Sequence, residues 1–226
     1  MSITTTHRSR SFDMPVGIAL IAFLIIGFTA RSASTAGAGV PNSLIDAAEY
    51  GENVYDYAKG KEWKRADATL RSLMQAGEKM HTEVAGQDTA KHHVDEIIAA
   101  LRKDIAEKDQ QAAMRDANQV TREVADMTAA YSPTVPVAVT KLDYYGRELE
   151  IWAQAKDIGK LQTTAAAMRR EWDALRPSIQ TRGAAEASKF DALVAQVEAA
   201  KTPAKYAQLA KSVLDEVDNL EKVFQR

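Results

Sequence analysis

The sequence predicts an all-α protein, with eight helices arranged as two tandem four-helix halves after an N-terminal signal or anchor segment. Three observations predict it. Beyond residue 40, apolar residues recur at i, i+3, i+4 and i+7, the spacing that gathers side chains on one helix face. Glycine and proline number only 11 and 6 in 226 residues, while alanine, glutamate, lysine, leucine and glutamine are plentiful, a balance that favours helix. The third is an internal match. Tyr50-Gly51, Val54, Tyr57-Ala58 and Lys61-Glu62 are answered about 95 residues later by Tyr145-Gly146, Leu149, Trp152-Ala153 and Lys156-Asp157. Self-similarity at a fixed period marks repeated architecture.

The elements follow in order. Pro41-Asn42-Ser43 opens the first helix, with Asn42 or Ser43 as the expected cap. Leu44, Ala47, Ala48, Gly51, Val54, Tyr55 and Ala58 share its apolar side, and Lys59-Gly60-Lys61 ends it. A second helix runs from about Glu62 to Val84 through Trp63, Leu70, Leu73 and Met80, and the turn after it offers Asp88 or Thr89 as the next cap. A third carries Val94, Ile97, Ile98 and Leu101, and a fourth, from near Lys108-Asp109, carries Ala113, Ala117, Val120, Val124 and Met127. Two prolines within residues 132–136 stop that helix and make the best internal boundary, between a first half at 39–131 and a second at 137–226. Three more helices reach about Ala155, Ile179 and Ala200, with a turn at Gly183 before the last of them; the eighth starts at Thr202-Pro203, Thr202 capping and Pro203 in the first turn. A finer period of about 47 residues relates the junctions at Lys61-Glu62, Lys108-Asp109, Lys156-Asp157 and Lys201-Thr202. It leaves two arrangements open: a short solenoid of hairpins, or two four-helix bundles side by side.

The N-terminus reads as an export signal. His7, Arg8 and Arg10 precede a 17-residue apolar run over 14–30, followed by small residues and the Ala36-Gly37-Ala38 pattern of a cleavage site. The alternative is an uncleaved anchor, since a membrane-spanning helix needs roughly 17–25 apolar residues. Both place the body of the chain outside the cytoplasm, in the periplasm or tethered to the inner membrane, with membrane contact only through residues 14–30 if they are retained. With no cysteine, disulfides, covalent haem and thiolate metal sites are excluded. A formal charge of −2 with interspersed signs argues against nucleic acid as a partner.

For chemistry, the sequence shows no nucleophile elbow, phosphate loop or zinc-helix motif, and the expectation is a protein that is not an enzyme. The candidate metal ligands are His81, near the end of the second helix, and His92 and His93 at the start of the third, across a short turn. Imidazoles beside carboxylates suit zinc, and beside methionine, copper; the plainer reading is a solvated histidine face, with no cofactor. Among the aromatics, Tyr50 and Tyr57 share a helix face, as do Tyr145 and Trp152, and are expected to fill the cores beside Gly51 and Gly146, whereas Tyr55 and Tyr144 are expected as exposed contacts. Arg147-Glu148 reads as solvated surface, and Asn118-Gln119 and Thr121 as a buried polar contact. The sequence thus points to an exported helical binding, scaffold or accessory protein whose partner is an envelope or membrane protein. The alternatives are a periplasmic copper- or zinc-binding protein and a small-ligand carrier bundle.

Overall fold

The computed structural model describes residues 39–225, and these are helical with no strand among them. The helices are α1 (Asn42–Lys59), α2 (Trp63–Glu83), α3 (Asp88–Glu107), α4 (Gln110–Thr128), α5 (Val137–Ala155), α6 (Ile158–Arg182), α7 (Ala184–Ala199) and α8 (Pro203–Phe224), with a 3-10 turn at Ala129–Tyr131. The signal or anchor expected over residues 1–38 lies outside the described residues. Among those described, no helix is long and apolar enough to cross a membrane.

Packing follows the apolar stripes. Helix α1 packs on α2 and α4, and α3 on α2 and α4, closing a ring; α5 packs on α6 and α8, and α7 on α6 and α8, closing another. Leu44, Val54, Leu73, Leu101 and Val124 belong to the first core, and Leu142, Leu149, Trp172, Phe190 and Val217 to the second. Helices α4 and α5 pack together, and Ile151 of α5 reaches into the first core. The proline segment is therefore a tight connection between touching helices.

The lysine period has a backbone cause. Lys61, Lys108 and Lys156 sit just past α1, α3 and α5 with φ of 56°, 58° and 58°. A left-handed non-glycine residue costs on the order of 1–2 kcal/mol. Here it closes the helix end. Glu62, Asp109 and Asp157 each donate their N–H back to Tyr57, Asp104 and Trp152 carbonyls at 2.8, 2.9 and 3.0 Å, which satisfies carbonyls the helix leaves free. At two of these junctions the acid then caps the next helix, as Thr202 does before α8, while Glu62 makes no side-chain cap. The Asp109 carboxylate accepts from the Ala112 N–H at 3.1 Å, Asp157 from Lys160 at 2.9 Å, and the Thr202 hydroxyl from Lys205 at 3.3 Å.

Two expected caps are different. The cap residue of α1 is Pro41, and no side chain of Asn42 or Ser43 caps it. Instead the Ser43 N–H donates to the Glu83 carboxylate of α2 at 3.0 Å, so the acceptor arrives from the far end of the neighbouring helix. Before α3, Gly86 and Gln87 turn the chain with φ of 66° and 55°, and Gln87 takes the cap position in place of Asp88 or Thr89. Asp88 pairs with Lys91 at 2.8 Å, and the Lys91 ammonium, 5% exposed, donates to the Val84 carbonyl at 3.0 Å.

The two glycines of the internal match mark close helix approaches. A Cβ on Gly51 would stand 2.9 Å from the Thr121 hydroxyl and 3.4 Å from the Ala117 carbonyl of α4; one on Gly146 would stand 2.7 Å from a methyl of Leu214 on α8. The consequences differ. The Leu214 methyl can swing away, but the Leu214 Cγ at 3.1 Å and a methyl of fully buried Val213 at 3.2 Å also crowd the site, so Gly146→Ala is expected to cost about 1 kcal/mol despite the helix preference of alanine. Gly51→Leu drives a branched side chain against α4 backbone and is expected to cost about 2 kcal/mol or more in urea denaturation.

Candidate functional site

The densest polar chemistry lies along α5, on residues that a surface reading passes over. Arg147 and Glu148 are each only 9% exposed, which corrects their expected place on solvated surface. Helix α5 packs against α4, α6 and α8 and also meets α1, so most of its circumference is covered. Its charged groups find partners there. Arg147 pairs through Nε with Asp143 at 2.9 Å and through Nη2 with Glu52 of α1 at 3.5 Å, and its guanidinium lies over the Tyr55 ring at 5.1 Å. The Nη1 nitrogen is buried without a hydrogen-bond partner.

Tyr55 is 1% exposed and is a core residue of α1, which overturns its expected role as an exposed contact. Its position with Leu44, Ala47 and Ala58 on the apolar side is the reason. Its hydroxyl donates to Glu150 at 2.8 Å, and Lys59 donates to the same carboxylate at 2.7 Å. Burial and the Glu150 charge hold the Tyr55 phenol well above its usual range. Tyr144 is half-buried against α4, not exposed, and burial pushes its phenol up to about 12.

On the α4 side the expected buried polar contact is present. Asn118 donates to the Tyr144 carbonyl at 3.1 Å and to Glu148 at 3.2 Å, while Trp152 donates its indole N–H to the other Glu148 oxygen at 2.6 Å. Thr121 donates to the Ala117 carbonyl at 3.4 Å. Glu148 therefore faces α4 and Glu150 faces α1, on different sides of α5. Burial pushes the Glu148 carboxyl up, and the two hydrogen bonds pull it part of the way back.

Helix α8 completes the seam. Asp218 and Glu221 stand close enough to act on the charges of Asp143 and Glu52, as does Asp56 of α1. Burial raises Glu52 to about 7 against the pull of Arg147, with Asp143, Glu221 and Asp56 adding repulsion. Glu221 is likewise raised to about 7, first by burial and then by Asp143 and Asp218. Arg147 thus holds two carboxylates, Asp143 and Glu52, while exposed Asp56 and Asp218 and half-buried Glu221 add negative charge nearby, the last two beside Lys222. The partners also obey the internal match. Glu52 follows Tyr50-Gly51 as Arg147 follows Tyr145-Gly146, and Tyr55 and Glu150 occupy equivalent positions as well.

The predicted histidine ligands divide. His81 Nε2 lies 2.8 Å from an Asp95 oxygen, and His92 Nδ1 lies 3.9 Å from the same oxygen, with the two rings 5.8 Å apart. His93, one residue on and turned to another face, stands 3.5 Å from Glu96 and 3.9 Å from Glu123 of α4. The structure brings His81 and His92 together on Asp95 and leaves His93 out. Among the described residues, no group of three or more histidine or carboxylate side chains is spaced to hold a metal ion.

A groove opens where α1, α4, α5 and α8 meet. It has a volume of about 570 Å³ and a floor that includes Met114, Ala153, Pro203 and Ala207, with Lys59 and Glu150 at its edge. Its size falls within the roughly 300–1,000 Å³ range of small-ligand sites, though it is an open depression and not an enclosed cavity. Comparison of the chain with family models, with curated proteins and with solved structures returns no match in any of the three.

Proposed function

We propose that this chain is an exported, non-enzymatic helical-repeat protein that acts by binding, as a scaffold or accessory subunit whose partner is an envelope or membrane protein. The observation that carries the reading is the groove shared by α1, α4, α5 and α8, with its apolar floor and the Lys59–Glu150 pair at its edge. An apolar centre with a charged margin is the usual anatomy of a protein contact. The basic residues and apolar run at the N-terminus support export.

The chain is also read as an internal duplication of two four-helix halves, 39–131 and 137–226. Support comes from positions about 95 residues apart meeting each other, Glu52 with Arg147 and Tyr55 with Glu150. Self-contacts between equivalent positions are what a pseudo-two-fold axis produces.

The test is photo-crosslinking from the groove in intact cells. A photoreactive phenylalanine analogue replaces exposed Ala204 or Ala207 in the full-length chain, with exposed Gln162 on α6 as control. The expected result is one discrete adduct with an envelope protein from the groove positions and none from the control. Adducts equal in yield from all three positions, or none from the groove, end the reading.

A second reading rests on the shared Asp95 oxygen. A zinc or copper ion bound by His81 and His92 with Asp95 would replace the His81–Asp95 hydrogen bond and draw the His92 ring inward. Binding at 100 times the dissociation constant stabilises by about 2.7 kcal/mol, or roughly 5–10 °C for a domain of this size. That rise is expected in thermal melts with added zinc or copper, lost in His81→Ala and kept in His93→Ala. Identical melts with and without metal dispose of it.

A further inference from the structure

The groove lies where α1 and α5 end and α4 and α8 begin. Gln110 of α4 donates to the Lys59 carbonyl at 2.7 Å and accepts from Gln154 of α5 at 3.2 Å, which ties three of these ends together. Thr202, Pro203, Ala204 and Ala207 bring in the fourth. Cations dominate the margin. Glu150 is the acid among the lining residues, and its carboxylate is already engaged by Lys59 at 2.7 Å and by the Tyr55 hydroxyl at 2.8 Å. The acids next to it are engaged too: Asp157 caps α6 through the Lys160 N–H at 2.9 Å, and Asp215 holds Lys211 at 2.7 Å. Against these stand Lys156, which lines the groove, and Lys201, which immediately precedes lining Thr202. Both are exposed, and among the described residues neither ammonium group has an ion-pair partner.

We infer that the occupant of the groove is an acidic, amphipathic segment of another protein. Its apolar side chains sit on the floor of Met114, Ala153 and Ala207, and aspartates or glutamates on either side of them meet Lys156 and Lys201. This rests on the groove being the contact site, and it adds the chemistry of what fits there. Charge complementarity selects the occupant, because charges at a contact margin steer encounter and exclude wrong partners. The margin offers two unengaged ammonium groups, so a carboxylate gains there and a second cation is repelled. The chain's own residues 1–38 hold Arg8, Arg10 and Arg31 against Asp13 alone, and repeat the charge of the margin instead of answering it. Shape selects the class of partner. Ala153, Ala204 and Ala207 are small enough to admit a close approach, and the depression is open on one side. A small amphiphile would keep much of its surface in water there, whereas small-ligand sites bury most of the ligand. A protein segment brings the missing wall with it.

Charge reversal combined with the photoreactive phenylalanine analogue at position 207 tests this in intact cells, with the full-length chain and adduct yield normalised to the amount of chain. Lys156→Glu together with Lys201→Glu is expected to lower the yield about tenfold, and Lys156→Arg together with Lys201→Arg to keep it. Lys79→Glu together with Lys189→Glu makes the same change in net charge at exposed positions of α2 and α7, neither of which lines the groove, and is expected to leave the yield unchanged. The crosslinked fragment, sequenced by mass spectrometry, is expected to come from another protein and to carry aspartate or glutamate on both sides of an apolar residue. Three results overturn the inference while the groove stands as a contact: a yield that survives the Lys156→Glu and Lys201→Glu pair, a yield that falls equally in the arginine or the α2–α7 pair, and a fragment that is basic or belongs to a second copy of the chain. No adduct from position 207 in the parent overturns both.

Discussion

Replacing Arg147 with methionine is expected to lower stability at pH 8 by about 3–5 kcal/mol, the loss typical of removing one partner from a buried ion network. Methionine keeps the apolar stem of the side chain but loses the guanidinium and with it the contact over the Tyr55 ring, so the loss combines the ion contacts with that stacking. Asp143 loses its contact at 2.9 Å and Glu52 its contact at 3.5 Å, and both are left among Asp56, Asp218 and Glu221. The loss is expected to shrink at pH 5, where Glu52 and Glu221 are protonated and need no cation. Adding Glu52→Gln to the methionine variant is expected to recover part of the loss at pH 8, and the double-mutant cycle in urea denaturation reads that coupling directly. Equal stability of Arg147→Met and the parent at pH 8 would show that the arginine does not hold these carboxylates.

Much of the fold is legible in the sequence because it is encoded locally. Apolar stripes such as Leu44, Ala47, Val54 and Ala58 specify a face whatever lies opposite. At Lys108-Asp109 and Lys156-Asp157 one residue closes a helix and the next caps its successor, a device complete within five residues, whereas Lys61-Glu62 closes α1 without a side-chain cap on α2. What escapes sequence reasoning depends on partners far along the chain. The acceptor for the Ser43 N–H is Glu83, 40 residues away, and no local rule points to it. Arg147 and Glu148 read as surface because charged residues usually are. They are buried because α1 brings Glu52 to Arg147 and α4 brings Asn118 to Glu148. A signal does exist one step beyond the internal sequence match: the residue after Tyr50-Gly51 is acidic, and the residue after Tyr145-Gly146 is basic. Positions 52 and 147 meet across α1 and α5, and opposite charges suit that contact where like charges would repel. The histidines show the converse. Neighbours in sequence, His92 and His93 are turned about 100° apart by the helix, and only the first can join His81.

The pH dependence of stability is expected to run opposite to ordinary acid denaturation between about pH 4.5 and 7. Glu52 and Glu221 both bind their protons more tightly when folded, each raised from 4.5 to about 7. A raised carboxyl contributes stability that is fully present below its unfolded value and is lost as pH rises through its folded value, because the folded state then gives up the protons it favours. Each tenfold gain in proton affinity is worth about 1.4 kcal/mol, so either group alone would reach ~3 kcal/mol. Both are partly exposed and they act on each other, so a combined loss of about 2–4 kcal/mol is expected. Asp104, raised to about 6 by burial and by its neighbour Asp116, works in the same direction. Asp191 and Asp88, lowered by hydrogen bonds from Arg176 and Lys91, act the other way, but below their ordinary value of 3.8. Urea midpoints measured at half-unit steps should therefore fall from pH 5 to 8, and the slope should flatten when Glu52 and Glu221 are both glutamine. Midpoints that rise across this interval would mean that the seam is hydrated enough to carry its charges without cost.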